Sequence, residues 1–250
     1  MKLPASFLTR PIAHRGLHNT SEGRAENSPK GFAAAIAQGY GIELDLQLSK
    51  DGQAMVFHDY DLERLTGERG PVAQRTAAEL GQIALRHDGD SIPTLAETLN
   101  QIAGRVPILI EFKDQDGQMG PNVGPLEDAA AALLNDYEGD CAVMSFSPHS
   151  VAALAKVLPD RARGLVTCDY SAEDWPILPA NVRDRLRDIP DFETLGCTFI
   201  SHDRTDLTRD RVTQIKAAGH PILTWTIKSA DQEREAREIV ANITFEGYMA

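Results

Sequence analysis

The chain has 250 residues, of which 42% are hydrophobic, and a formal net charge of −12. This is enough apolar material for one sizeable core, and a single α/β barrel is commonly about this long, so one domain over residues 1–250 is expected. The acidic balance argues against nucleic acid or an anionic membrane as a default partner, and the lack of a long apolar run or a signal-peptide-like start predicts a soluble, cytoplasmic protein with no stable membrane association.

In chain order, Pro11 to His14 form a short apolar run that ends at His14-Arg15-Gly16, where the glycine permits a sharp exit from a strand. After a polar loop, Ser28 as N-cap and Pro29 at the first helical position open a helix with Phe32 and Ile36 on its apolar stripe, closed by Gly39. Residues 42–48 then alternate strictly. Ile42, Leu44, Leu46 and Leu48 share one strand face, and Glu43, Asp45 and Gln47 share the other. The Lys50-Asp51-Gly52 turn reverses the chain into Ala54 to Phe57, which presents His58 and Asp59.

From there to about residue 91 the sequence is charged, glycine-containing and without a clean period, with one short helix expected at Ala77 to Leu80. It reads as an excursion outside a repeat. Thr94-Leu-Ala-Glu97 is a capping box for a helix through Leu99 and Ile102, and Ile108 to Lys113 is a strand with Glu111 and Lys113 on one face. Helix and strand signals then alternate: helix near 125–137, strand 142–146, helix opened by Ser147-Pro148, and strand 163–168. Residues 169–197 are ambiguous. Strand 198–201, a helix opened by Thr208 and ended by Gly219, strand 222–227, a helix opened by Ser229 and a last run at 242–245 complete the pattern. Leaving out the return limb after the Lys50 turn, eight strands are counted, which suits a (β/α)8 TIM-type barrel with a small excursion after the second strand and no evident last helix. Cys141, Cys168 and Cys197 lie in or beside predicted strands without Cys-x-x-Cys spacing, so reduced core thiols are expected rather than disulfides or zinc ligands.

In such a barrel the strand ends converge at one mouth, so His14, Glu43, Asp45, His58, Glu111 and Lys113 could meet there. Adjacent carboxylates repel by roughly 4 kcal/mol at about 4 Å and an effective dielectric near 20, and a hard divalent cation is the simplest remedy. Each residue also has a plainer reading: a solvated outer strand face for Glu43 and Asp45, a surface ion pair for Glu111 and Lys113, satisfied core histidines, and packing for Trp225.

The motifs His14-Arg15-Gly16, Glu26-Asn27-Ser28, Gly41-Ile-Glu43-Leu-Asp45, Asp51-Gly52, Phe57-His58-Asp59 with Leu62, Arg64, Thr66 and Gly67, Ile92-Pro-Thr-Leu95, Glu111-Phe-Lys113, Ser145-Phe146 and Trp225-Thr226 closely resemble the glycerophosphodiester phosphodiesterase family. The resemblance covers nearly the whole chain and is densest over residues 11–113. It implies a barrel enzyme that hydrolyses glycerophosphodiesters to an alcohol and glycerol 3-phosphate with one divalent cation, Mg²⁺ or Ca²⁺. It also implies Glu43, Asp45 and Glu111 as metal ligands, His14 and His58 as acid and base, Arg15 and Lys113 on the phosphate, and Trp225 walling the glycerol side. The last strand departs from the family pattern: a polar Thr-Asp followed by proline is usual, whereas Phe245, Glu246 and Gly247 stand here. Three alternatives accompany this reading. They are a related barrel phospholipase or lyase that forms a cyclic phosphate, a glycosidase, which leaves His14, His58 and Lys113 unexplained, and a silent phosphodiester-binding barrel, which would be expected to lack one of these groups.

Overall fold

The structure, a computed structural model, describes residues 2–87 and 89–250. Among these residues eight parallel strands close on themselves: β1 (Ile12–Ala13), β2 (Gly41–Leu48), β4 (Ile108–Phe112), β5 (Cys141–Ser145), β6 (Ala162–Thr167), β7 (Phe199–Asp203), β8 (Ile222–Ile227) and β9 (Asn242–Phe245). Closure runs through the two residues of β1, where Ile12 pairs with Gly41 and Thr244, and Ala13 pairs with Ile42 and Phe245. The return limb β3 (Ala54–Val56) pairs antiparallel with the end of β2 and lies outside the barrel count. This is the TIM-barrel arrangement expected from the alternation of strand and helix signals.

The helices follow local capping chemistry. Ser28 accepts a hydrogen bond from the Gly31 N–H at the start of α1 (Pro29–Gln38), and Gly39 ends it in the left-handed region at φ 69°. Two short helices, α2 (Glu63–Thr66) and α3 (Ala77–Leu80), sit in the excursion, whose aperiodic sequence still buries Leu62, Val72, Leu80 and Leu85 in a small core shared with Met55 of β3 and Phe57 just after it. The capping box at Thr94 opens α4 (Leu95–Ile102). Around the barrel follow α5 (Pro125–Leu134), α6 (Pro148–Val157), α7 (Ala180–Arg187), α8 (Asp210–Ala217) and α9 (Ala230–Ala236). The ambiguous segment thus contains α7, a helix so polar that Leu186 is its only buried residue, which explains why no apolar stripe marks it. Thr208 does not cap α8; the helix starts after Arg209, without a side-chain cap.

Strand parity divides the core in two. Ile42, Leu44, Leu46, Ile108 and Ile110 face outward and pack against helix residues such as Phe32, Leu99 and Leu126. Inside the barrel, Ile12, Leu109, Met144, Val166, Phe199 and Leu223 form a separate cluster. Phe7, fully buried, belongs to this inner cluster, and its carbonyl accepts from Asn242 Nδ2 on β9. Gly164 stands beside Phe199 in the register, and a Cβ there would lie 2.5 Å from the ring, so the absence of a side chain makes room for the aromatic. Residues 246–250 form no helix. Instead Tyr248 and Tyr40 each meet Phe245 edge-on, and Tyr40 Oη donates to the Ala250 carbonyl. All three cysteines are buried and unpaired, and burial pushes the Cys141 thiol up to about 12, consistent with inert core thiols.

Candidate active site

The polar face of β2 points into the barrel, so the solvated-face reading fails: Glu43 and Asp45 are 2% and 1% exposed. Parallel pairing sets Asp45 directly opposite Glu111 on β4. One carboxylate oxygen from each of Glu43, Asp45 and Glu111 lies within 4.8 Å of the others. Such a cluster is costly in a low-dielectric interior unless cations accompany it. Lys113, two residues beyond Glu111 on the same strand face, supplies one, with Nζ 2.8 Å from Asp45 Oδ1 and 2.5 Å from Glu111 Oε1. Arg15 supplies the other. Its left-handed backbone, at φ 52°, aims the Arg15 N–H at Glu43 Oε2 (2.9 Å) while the guanidinium sits 3.4 Å from Asp45 and donates to Glu26.

Three acids and two cations leave one negative charge uncompensated, and the proton affinities follow. Burial, reinforced by Asp45 and Glu111, raises Glu43 well above the usual carboxylate range. Burial acts on Asp45 in the same direction, but Lys113, His58 and Arg15 outweigh it and hold this acid far below its ordinary value. For Lys113, burial is outweighed by Asp45 and Glu111, so the ammonium is held protonated. An all-oxygen, partly uncompensated donor set suits a hard cation such as Mg²⁺ or Ca²⁺.

The two histidines come from different elements, His14 just after β1 and His58 just after β3. Burial lowers the proton affinity of His14, offset in part by a 2.6 Å hydrogen bond between its Nδ1 and Glu246 Oε2. His58 Nδ1 lies 2.7 Å from Asp59 Oδ1, and Arg64 clamps Asp59 from behind while also gripping Glu26. His14, Arg15, Glu43, His58, Glu111, Lys113 and Trp225 line one cavity of about 100 Å³ at the C-terminal ends of the strands; Asp45, buried against Lys113 and Arg15, does not line it. A larger groove of about 1200 Å³ opens at the other end, among Leu3, Arg163, Phe192 and His220, and contains none of these groups.

Trp225 is a wall of the cavity. Its indole N–H donates to the Ser201 carbonyl at 3.0 Å, and Phe146 meets it edge-on at 5.6 Å. Ser201 and Thr244 also line the cavity, and their buried hydroxyls have no hydrogen-bond partner among the described residues.

The structure therefore brings together all eight residues singled out in the sequence. It adds several to which sequence reasoning gave no role. Asn27, in the Glu26-Asn27-Ser28 motif, donates to Asp45 at 2.9 Å from a left-handed backbone. Ser201 and Thr244 carry no sequence signal beyond strand parity. Glu246, part of the departure from the usual closing motif, reaches His14.

The glycerophosphoryl diester phosphodiesterase family model matches residues 14–242. Among relatives, YhdW of Bacillus subtilis is 28% identical over 227 residues, covering 87% of this chain and 86% of its own length. The glycerophosphodiester phosphodiesterase of Caldanaerobacter subterraneus is 30% identical over 177 residues, covering 67% and 70%. Among solved structures, an Oleispira antarctica phosphodiesterase in complex with its product sn-glycerol-3-phosphate superposes with a TM-score of 0.78 at 25% identity, over 96% of this chain and 94% of that one. No helix among the described residues is long and apolar enough to cross a membrane. With a closed barrel and a family match over nearly its whole length, the chain belongs to the glycerophosphoryl diester phosphodiesterase family and is an enzyme of that class.

Proposed function

We propose that the chain hydrolyses glycerophosphodiesters to an alcohol and sn-glycerol 3-phosphate, using one divalent cation, Mg²⁺ or Ca²⁺, and histidine acid–base chemistry. The observation that carries this reading is the convergence of two imidazoles, two cations and a carboxylate cluster on one small cavity. Glu43, Asp45 and Glu111 would hold the ion, which when bound offsets the negative charge of the carboxylates and of the phosphodiester. Arg15 and Lys113 bind the phosphate; both are held in place by buried carboxylates, so little side-chain freedom is lost when the ligand arrives. His14 and His58 divide the proton work: one takes a proton from the attacking hydroxyl or water, and the other gives one to the departing alkoxide as the P–O bond breaks. The Trp225 ring packs against the glycerol carbons, and the Ser201 and Thr244 hydroxyls are placed to bond its oxygens. The homologous structure with sn-glycerol-3-phosphate supports the product assignment.

The test is to incubate the protein with a panel of glycerophosphodiesters, with added Mg²⁺ or Ca²⁺ and separately with a chelator, and to identify every phosphorus-containing product by phosphorus NMR. Cation-dependent sn-glycerol 3-phosphate is the expected end product. A cyclic phosphate as the sole final product would replace hydrolysis with intramolecular transfer, and undiminished turnover in chelator with no metal by elemental analysis would remove the ion.

A further inference from the structure

Just past the last strand stands a residue for which the proposed chemistry has so far no use. Glu246 follows Phe245, beyond the last β9 pair, at the strand end where the cavity opens. Its Oε2 is 2.6 Å from His14 Nδ1 and 3.5 Å from His18 Nε2, and its Oε1 is 2.8 Å from Lys228 Nζ. The two residues of the closest contact are 232 positions apart and are brought together by barrel closure, since the His14 N–H also donates to the Phe245 carbonyl at 2.9 Å.

We infer that Glu246 is the positioning residue of His14: it fixes the imidazole as the Nδ1–H tautomer and leaves Nε2 as the nitrogen presented to the phosphodiester. Three features carry this. An ionised carboxylate only accepts hydrogen bonds, so at 2.6 Å the proton between the two groups belongs to Nδ1. Lys228 meets the second oxygen, which restrains the carboxylate from rotating away from His14. The ring lines the cavity, so the nitrogen not engaged with Glu246 is the one available to a ligand. His58 has the same arrangement from a neighbour in sequence, Asp59, which Arg64 holds as Lys228 holds Glu246. Each imidazole thus has a charged carboxylate behind it and a cation behind that carboxylate.

The inference rests on the acid–base reading of His14, and the experiment separates the two. Glu246→Ala, Glu246→Gln and His14→Asn are compared for kcat and KM on a glycerophosphodiester, for melting temperature, and by nitrogen NMR of isotopically labelled histidine, with the His14 signal assigned by its loss in His14→Asn. Wild type is expected to show His14 as a single Nδ1–H tautomer. Glu246→Ala should lower kcat by roughly 10- to 100-fold, a share of the 10²–10⁴ that a positioned acid–base group supplies, with KM changed by less than about threefold. Its His14 signal should shift towards the other tautomer, and added formate should restore part of kcat by filling the place of the carboxylate. Glu246→Gln, which keeps the shape, guards against a folding failure in Glu246→Ala; it should retain the melting behaviour and still lose kcat, because its amide can meet Nδ1 with either end. If the Glu246 variants keep wild-type kcat while His14→Asn is inactive, the positioning role is overturned. It is equally overturned if kcat falls with no change in the His14 signal and no response to formate. Full activity in His14→Asn would overturn the acid–base reading and this inference together.

Discussion

Glu43→Gln tests the balance of charge at the base of the cavity. Glutamine has the shape of glutamate and keeps an oxygen for the Arg15 N–H, so the perturbation is the loss of one negative charge. At the 4.8 Å limit separating the three carboxylates, each pair of unit charges repels by about 3.5 kcal/mol at an effective dielectric near 20. Glu43 faces two such partners, and Arg15 and Lys113 offset most of the repulsion, so a net relief on the order of 1 to 3 kcal/mol is expected from the substitution. For a chain of this size that corresponds to a rise in melting temperature of about 2 to 12 °C without added cation.

The pH dependence has a fixed sign. The proton affinity of Glu43 is raised in the folded state, so its ionisation destabilises the protein. Wild type and variant should therefore be alike below about pH 4, the ordinary carboxylate range, and the variant's advantage should grow as pH rises through the elevated value of Glu43. Saturating Mg²⁺ or Ca²⁺ should reverse the order, since an ion at about 1,000 times its dissociation constant stabilises the binding form by about 4.1 kcal/mol. The assay is differential scanning calorimetry of both proteins in chelator and in excess cation between pH 4 and 8. If Glu43→Gln melts lower than wild type in chelator at pH 7, or if the ion raises both melting temperatures equally, the carboxylate cluster is not the strained cation site described above.

Other expected outcomes follow from the same geometry. His14→Asn and His58→Asn should each reduce turnover by roughly 10² to 10⁴ fold with metal content unchanged, and the variant lacking the acid should recover on a nitrophenyl ester, whose leaving group departs without a proton. Near-normal turnover of both on the natural substrate would move the proton work elsewhere. Ser201→Ala should reduce discrimination between a glycerophosphodiester and an analogue lacking one glycerol hydroxyl, because the analogue leaves a buried hydroxyl unpaired only in wild type; equal kcat/KM ratios in the two proteins would exclude Ser201 from glycerol recognition. Phe7→Ala should cost about 3 to 5 kcal/mol, lowering the melting temperature by roughly 6 to 20 °C as measured calorimetrically, because the fully buried ring fills the inner core; a shift under about 2 °C would show that the barrel does not depend on it.

The sequence by itself determined most of the strands and helices and which ionisable side chains share a strand face. Strict alternation over residues 42–48 fixed which side chains share a face, capping residues such as Ser28 and Thr94 fixed helix starts, and the repeat of spaced charges at Glu111 and Lys113 marked a second strand end. These are local signals, set by the two-residue period of a strand and the unsatisfied N–H groups of a helix. Periodicity left open which face of β2 was buried, since an outer solvated face alternates in the same way; only closure of the barrel turned Glu43 and Asp45 inward. The polar α7 and the satellite core of the excursion were illegible for a related reason, as their few apolar contacts are made across loops rather than at a helical or strand period. Glu246 is the clearest case. In the sequence it is one acid in a short, atypical last strand, and its partnership with His14 exists because β9 pairs with β1, a long-range contact that no local pattern encodes.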